Sequence, residues 1–390
     1  MSRTDLSKRT FLRTAALLAA DTLLTRNSTL GAERKSTPSN QKVILVIFGG
    51  VRRAETFSPD GLENIPHLAR DLMPQSLFYL HARNDGITSH FNATSSIFTG
   101  TWQRVDDWGK LAPTAPTLFE YFRKQLGAGQ GDVWVVASNK ALTKMIGVSA
   151  VSSYGSAFGA NVVFPKQLLI TAVMKAIWSG QSRNMGDRHK VQAHLEAMLM
   201  DNNYEGLGWS VFKEADRLDA DVHATMQEAI SQFVYNERST TGDELTFWMS
   251  REIMRRFAPT LLVVIYSDVE VAHFGSYSLH LAGISNADRL TYQLWEEAQK
   301  NSDYRGRTTM VVMPEFGRDP DGSTTNGFLN HRSNDDSCRM PWMMILGAAV
   351  DRPKIMEQPI AQIDLCPTLA RLLGCQADEA QGRRLGDLRT

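Results

Sequence analysis

The residues best suited to chemistry lie in Asp268-Val-Glu-Val-Ala-His273, directly after the apolar run Thr260-Leu-Leu-Val-Val-Ile-Tyr-Ser267. An aspartate and a histidine just beyond the end of a buried strand stand where open α/β sheets carry their reactive groups. The pattern recurs. Thr308-Thr-Met-Val-Val-Met313 reads as a second strand, followed by Pro314-Glu315-Phe316-Gly317-Arg318 and then His331. Either cluster alone reads as a carboxylate that caps the next helix beside an exposed histidine. Two strand ends that together offer Asp268, His273, Glu315 and His331 favour a divalent metal site. Imidazole and carboxylate at open tetrahedral geometry suit zinc ahead of calcium, manganese or magnesium.

Such a site needs strands to position it. Lys42-Val-Ile-Leu-Val-Ile-Phe48 is a continuous apolar, β-branched run ending in Gly49-Gly50, the pattern of a central parallel strand buried on both faces. Residues 65–73 read as a helix with Pro66 in its first turn, and residues 76–80 as a strand. A short helix over 92–98 stops at Thr99-Gly100. An amphipathic helix over 117–125 and a strand over 132–137 follow. After residue 259 the rhythm resumes with strands at 260–267, 308–313 and 342–346 and a closing segment at 360–374. The alternation predicts a doubly wound, mostly parallel α/β sheet, its halves at residues 42–146 and 259–390. Residues 147–258 lack the strand rhythm. Their helix-period segments at 189–200, 212–235 and 243–257 read as a helical insertion, with Met198, Met200, Trp209, Phe212, Trp248 and Met249 as packing core.

Composition narrows the partners. The 390 residues hold 42 Lys plus Arg and 42 Asp plus Glu, a balance that argues against nucleic acid or an anionic membrane as the main partner. Cys338, Cys366 and Cys375 show no metal-ligand spacing, and an odd count allows at most one disulfide. Ser7-Lys8-Arg9-Thr10-Phe11-Leu12-Arg13, followed by apolar residues 15–20, reads as a twin-arginine export signal over residues 1–32, with Lys8 in place of the first arginine. Residues 33–41 read as a flexible leader. No other segment reaches ~18 consecutive apolar residues, so no transmembrane span is expected, and the periplasm or exterior is the expected location. Arg52-Arg53 could clamp an anion, but a solvated loop pair ranks ahead. His223 and His280 read as surface residues.

The order of these segments resembles the alkaline phosphatase superfamily, which includes sulfatases and nucleotide pyrophosphatases. Residues 42–50 resemble its opening strand, usually ending F-D-G, and Ile65-Pro-His-Leu-Ala-Arg70 its T-P-N-L-D-R helix. Thr88-Ser-His-Phe-Asn-Ala-Thr-Ser-Ser-Ile-Phe-Thr-Gly100 resembles the nucleophile helix that ends L-L-T-G. Ala115-Pro-Thr-Leu118 resembles its A-P-T-L segment, and Ile363-Asp-Leu-Cys-Pro-Thr-Leu-Ala-Arg-Leu-Leu-Gly374 its closing motif. Met313-Pro-Glu-Phe-Gly-Arg-Asp-Pro320, with Asn326 and His331, is similar to the S-E-F-G-R-T-P…N…D-H stretch of an uncharacterised, twin-arginine-exported branch. That branch also carries an Asp…His pair matching Asp268 and His273, and an S-H-F matching Ser89-His90-Phe91.

The resemblance implies an alkaline phosphatase-type sheet and a reaction at two divalent metals around an activated hydroxyl. Asp268, His273 and His331 fall on the ligands of one metal, with Glu315 beside them. For the other metal, Gly49 stands where the first-strand aspartate belongs, and Glu315-Phe316 where a D-H pair belongs. His90 occupies the nucleophile position with Ser89 next to it, so His90, Ser89 and Arg318 are the candidate catalytic residues. The implied activity is metal-dependent hydrolysis of small anionic phosphate or sulfate esters outside the cytoplasm. Gly49, His90 and Phe316 speak for the alternative, a catalytically degenerate member that serves as a binding or scaffold protein.

Overall fold

The computed structural model describes residues 40–105, 111–139, 143, 145–166, 168, 241–324 and 326–389. Ten strands are described: β1 Lys42–Phe48, β2 Ser76–Tyr79, β3 Ala82–Arg83, β4 Val133–Ala137, β5 Asn161–Val163, β6 Leu261–Tyr266, β7 Thr308–Pro314, β8 Met343–Gly347, β9 Lys354–Met356 and β10 Ile360–Ala361. Eight of them form one sheet in the order β5-β4-β6-β1-β7-β8-β2-β9, and β10 pairs with β3 apart from it. From β5 to β7 every neighbour is parallel. β8 runs antiparallel to both β7 and β2, and β9 is parallel to β2. The strands read from the apolar runs at 42–48, 132–137, 260–267 and 308–313 lie side by side as β4-β6-β1-β7.

The continuous apolar runs have the physical consequence anticipated for them. Alternate residues of a strand point to opposite faces, and both faces here are covered. Ile44, Val46 and Phe48 join one core with the helices α3 (Gly242–Phe257) and α4 (Tyr277–Lys300). Val43, Leu45 and Ile47 join the other with α1 (His90–Thr99), α2 (Leu118–Leu126) and α5 (Leu365–Leu373). Each Val, Leu or Ile so buried contributes about 1.5–3 kcal/mol relative to leaving it in water.

Local chemistry fixes the helix ends. Thr117 and Glu120 form a reciprocal capping box at the start of α2, satisfying two otherwise orphaned N–H groups. α1 stops at Gly100, whose φ of +69° is a backbone conformation natural to glycine.

Two segments differ from expectation. β5 falls within the span read as a helical insertion and extends the sheet beyond β4; three residues are too few to show a strand rhythm. α3, in the same span, packs on the sheet through Leu245, Trp248, Met249 and Ile253. The segments at 189–200 and 212–235, His223, and the N-terminal signal lie outside the described residues. Residues 65–73 are helical but widened into a π-type turn over Leu68–Leu72.

Register positions everything that follows. Val43 pairs with Leu261 on one side and Thr309 on the other, and Phe48 with Tyr266 and Pro314. The three central strands therefore end level. Gly49 N–H donates to Tyr266 O at 3.0 Å and Glu315 N–H to Phe48 O at 3.0 Å, so the chain leaves β1, β6 and β7 at one edge.

Candidate metal centre

Four side chains meet at that carboxyl edge. His90 opens α1 with Ser89 as its N-cap. Glu270 and His273 sit on the 3-10 turn Asp268–Phe274 that follows β6, where a spacing of three places both on one face. His331 comes from the loop beyond β7. One ligating atom from each of His90, Glu270, His273 and His331 lies within 4.8 Å of the others.

The separations are those of a coordination polyhedron. His331 Nε2 and His273 Nε2 are 3.1 Å apart. Glu270 Oε2 lies 3.1 Å from His273 Nε2 and 3.2 Å from His90 Nε2. A tetrahedron with ligand distances of about 2.0 Å has edges of about 3.3 Å. The rings of His273 and His331 cross at 70°, those of His90 and His331 at 72°, so the imidazoles fan around a point instead of stacking. Three imidazoles and one carboxylate at these spacings fit a divalent ion of the zinc type.

The outer contacts decide which nitrogen is presented. His331 Nδ1 lies 2.6 Å from Thr88 O. A carbonyl can only accept, so Nδ1 carries the proton and Nε2 is left with its lone pair. Thr88 Oγ1 donates in return to His331 O at 2.5 Å, and the Phe316 ring stacks on His331 with centroids 4.3 Å apart. Glu315 hydrogen-bonds His90 Nδ1, which points His90 Nε2 at Glu270. Glu270 itself is held at both oxygens: Oε1 accepts from Gly50 N–H at 2.7 Å, and Oε2 from Arg318 Nη2 at 2.7 Å.

Charge follows from burial and these partners. Burial alone would raise Glu270, but the Arg318 guanidinium and His90 hold it well below the usual carboxylate range. Burial pushes Glu315 up to about 7, partly offset by His90. His331 is lowered far below the ordinary imidazole value by burial, with His90 and Arg318 adding to it, so it is neutral. Burial would lower His90 too, but the carboxylates of Glu270 and Glu315 raise it well above that value, so a cation held at its Nε2 would have to displace a proton.

Of the residues singled out in the sequence, His273 and His331 stand within the cluster. His90, read from the sequence as a candidate catalytic residue at the nucleophile position, stands there too, as one of the four groups that could hold an ion. Glu315 is one step out, on His90. Arg318 is fully buried; its Nε donates to Gly50 O at 2.7 Å, Nη1 to Phe328 O at 3.2 Å and Nη2 to Glu270. Ser89 Oγ accepts from Asn92 Nδ2 at 2.8 Å. Asp268 lies outside the four. It faces Asp243, each carboxylate accepting the other's backbone N–H at 3.1 Å. Glu270 supplies the carboxylate instead, and its spacing of three from His273 was the available signal.

Two surface readings are corrected. Arg52 is 4% exposed, pairing with Glu55 and donating to Asp321 Oδ1 at 2.8 Å. His280 is fully buried, with Nδ1 donating to Val269 O at 2.8 Å. All three cysteines are buried and free.

A doubly wound α/β sheet with histidines and carboxylates gathered at its carboxyl edge is the class that fold and site define. No protein-family model matches the chain, and no curated protein matches it. Solved structures do. The alkaline phosphatase PafA is similar with a TM-score of 0.55 at 10% identity, over 91% of this chain and 100% of that one. A protein in the alkaline phosphatase superfamily from Vibrio parahaemolyticus gives a TM-score of 0.49 at 14% identity, over 98% of this chain and 78% of that one. The phosphonate monoester hydrolase SpPMH from Silicibacter pomeroyi gives 0.49 at 14% identity, over 88% and 76%. The likeness to PafA shows an alkaline phosphatase-type α/β fold for this chain. Among the described residues, no helix is long and apolar enough to cross a membrane.

Proposed function

We propose that this chain is a metal-dependent hydrolase-like protein acting on small anionic phosphate or sulfate esters outside the cytoplasm. His90, Glu270, His273 and His331 would hold the ion, with zinc preferred. The observation that carries the reading is the convergence of these four groups at the edge where β1, β6 and β7 end. Mixed nitrogen and oxygen donors at tetrahedral spacing favour zinc, whereas calcium and magnesium prefer oxygen-only shells.

A divalent ion bound there would supply Lewis acidity toward an ester oxygen and toward water. The chain's own residues prepare that chemistry. Thr88 O and Glu315 fix two imidazoles in the ligating orientation. Arg318 keeps Glu270 ionised and immobile. Phe316 covers one face of His331 and excludes water from it. The alkaline phosphatase fold supports phosphate or sulfate esters as the substrate class.

One observation favours a second reading. The side chains of His90, Glu270 and His273 are 3%, 3% and 4% exposed, and four protein ligands complete a tetrahedron, the arrangement of structural zinc sites. Ser89 and Arg318 both spend their polar atoms on the protein. A degenerate member that keeps the ion as a pin for a binding or scaffold surface would look like this. Assaying the purified, zinc-loaded full chain against aryl phosphates and aryl sulfates separates the two. Turnover that disappears in His273→Ala supports the hydrolase; stoichiometric zinc without turnover supports the scaffold.

A further inference from the structure

We propose that Gly49 is the positioning residue of this centre: the space left by its missing side chain at the end of β1 is the seat of the Glu270 carboxylate. The proposal rests on the metal-site reading for its zinc readout only.

A Cβ placed on Gly49 would lie 2.1 Å from Glu270 Oε1, 3.1 Å from Glu270 Cδ and 2.9 Å from Val269 Cγ2. The first distance is inside the carboxylate itself. Gly49 is not among the glycines with positive φ, so an ordinary residue could adopt its backbone; space excludes one, not conformation. The carboxylate cannot slide aside cheaply. Its Oε1 is bonded to Gly50 N–H and its Oε2 to Arg318, and the same Oε2 faces His90 and His273.

The level ends of β1 and β6 make the exchange possible. Gly49 N–H is bonded to Tyr266 O, and Glu270 lies on the turn that follows Tyr266 and Ser267. A side chain at position 49 and one at position 270 therefore compete for one volume beside the three imidazoles. Gly49→Ala would push Glu270 out of reach of His90 and His273 and strip the buried Arg318 of its carboxylate partner. Gly49→Asp, combined with Glu270→Ala, would return a carboxylate to that volume from β1 instead of from the turn.

The test uses the full chain and two readouts. In zinc titrations, Gly49→Ala and Glu270→Ala should each weaken binding by ~10-fold or more, while Gly49→Asp/Glu270→Ala should recover most of the loss. In thermal unfolding with chelator present, Gly49→Ala should lower the midpoint strongly alone and much less in the Glu270→Ala background. A residual drop there belongs to the contact with Val269. Equal drops in both backgrounds would overturn the proposal. Wild-type protein that takes up no zinc, but still shows the unfolding coupling, would sink the metal reading and leave the seat for Glu270 supported.

Discussion

His273 and His331, 58 residues apart in the chain, bring their Nε2 atoms to 3.1 Å of each other. Since His331 keeps its proton on Nδ1, its Nε2 faces the neighbour with a lone pair. A proton or a cation must be shared at that point, and the carboxylate oxygen of Glu270 completes the same corner. The relationship is the core of the metal assignment.

Glu315 tests the outer contacts. It touches His90 and no other histidine of the cluster among its hydrogen bonds. Glu315→Ala should weaken zinc binding by about 10–100-fold, yet the saturated protein should still hold one ion per chain. A competition titration with a chromophoric chelator reads both quantities.

His280 sets an acid limit on stability. Burial lowers it from 6.5 to about 3, with Arg318 adding to the effect. A depressed imidazole stabilises the fold fully above its unfolded value of 6.5, and that contribution is lost as pH falls toward 3. The full loss, reached only below the folded value, amounts to as much as about 5 kcal/mol. Denaturant unfolding at pH 7 and pH 5 should show a smaller acid loss for His280→Asn than for the wild type, because the amide does not titrate and can still donate to Val269 O.

Asp288 of α4 accepts the backbone N–H groups of His67 and Leu68 at 3.1 and 2.6 Å, fastening the widened helical segment to α4. Asp288→Ala orphans two donors and should cost about 2 kcal/mol, measured as a lower urea midpoint with an unchanged slope.

Export is testable apart from the site. If residues 1–32 form a twin-arginine signal, Arg9→Lys beside Lys8 should abolish periplasmic accumulation. Fractionation that finds the variant exported like the wild type counts against the assignment.

The fold was legible because fully buried parallel strands leave continuous apolar runs. β1, β6 and β7 could be read from composition alone, and β5 could not, being three residues long. His273, His331 and Glu315 were legible because each sits at or beyond the end of such a run. Glu270 carried only its spacing of three from His273 as a signal, and the contacts that seat it, Gly50 N–H and Arg318, come from segments distant in the chain. Arg52 and His280 misled for the opposite reason. Polar residues in a loop or near a helix start look solvated until the partners that bury them, Glu55, Asp321 and Val269, are in place.

The most direct test of the central claim is elemental analysis of the folded, tag-free protein, beside His331→Ala purified in parallel. One divalent ion per chain, zinc foremost, that is absent from the variant is the result this structure predicts. A wild-type protein without a stoichiometric ion, even after incubation with zinc, or a variant that keeps its ion, would contradict it.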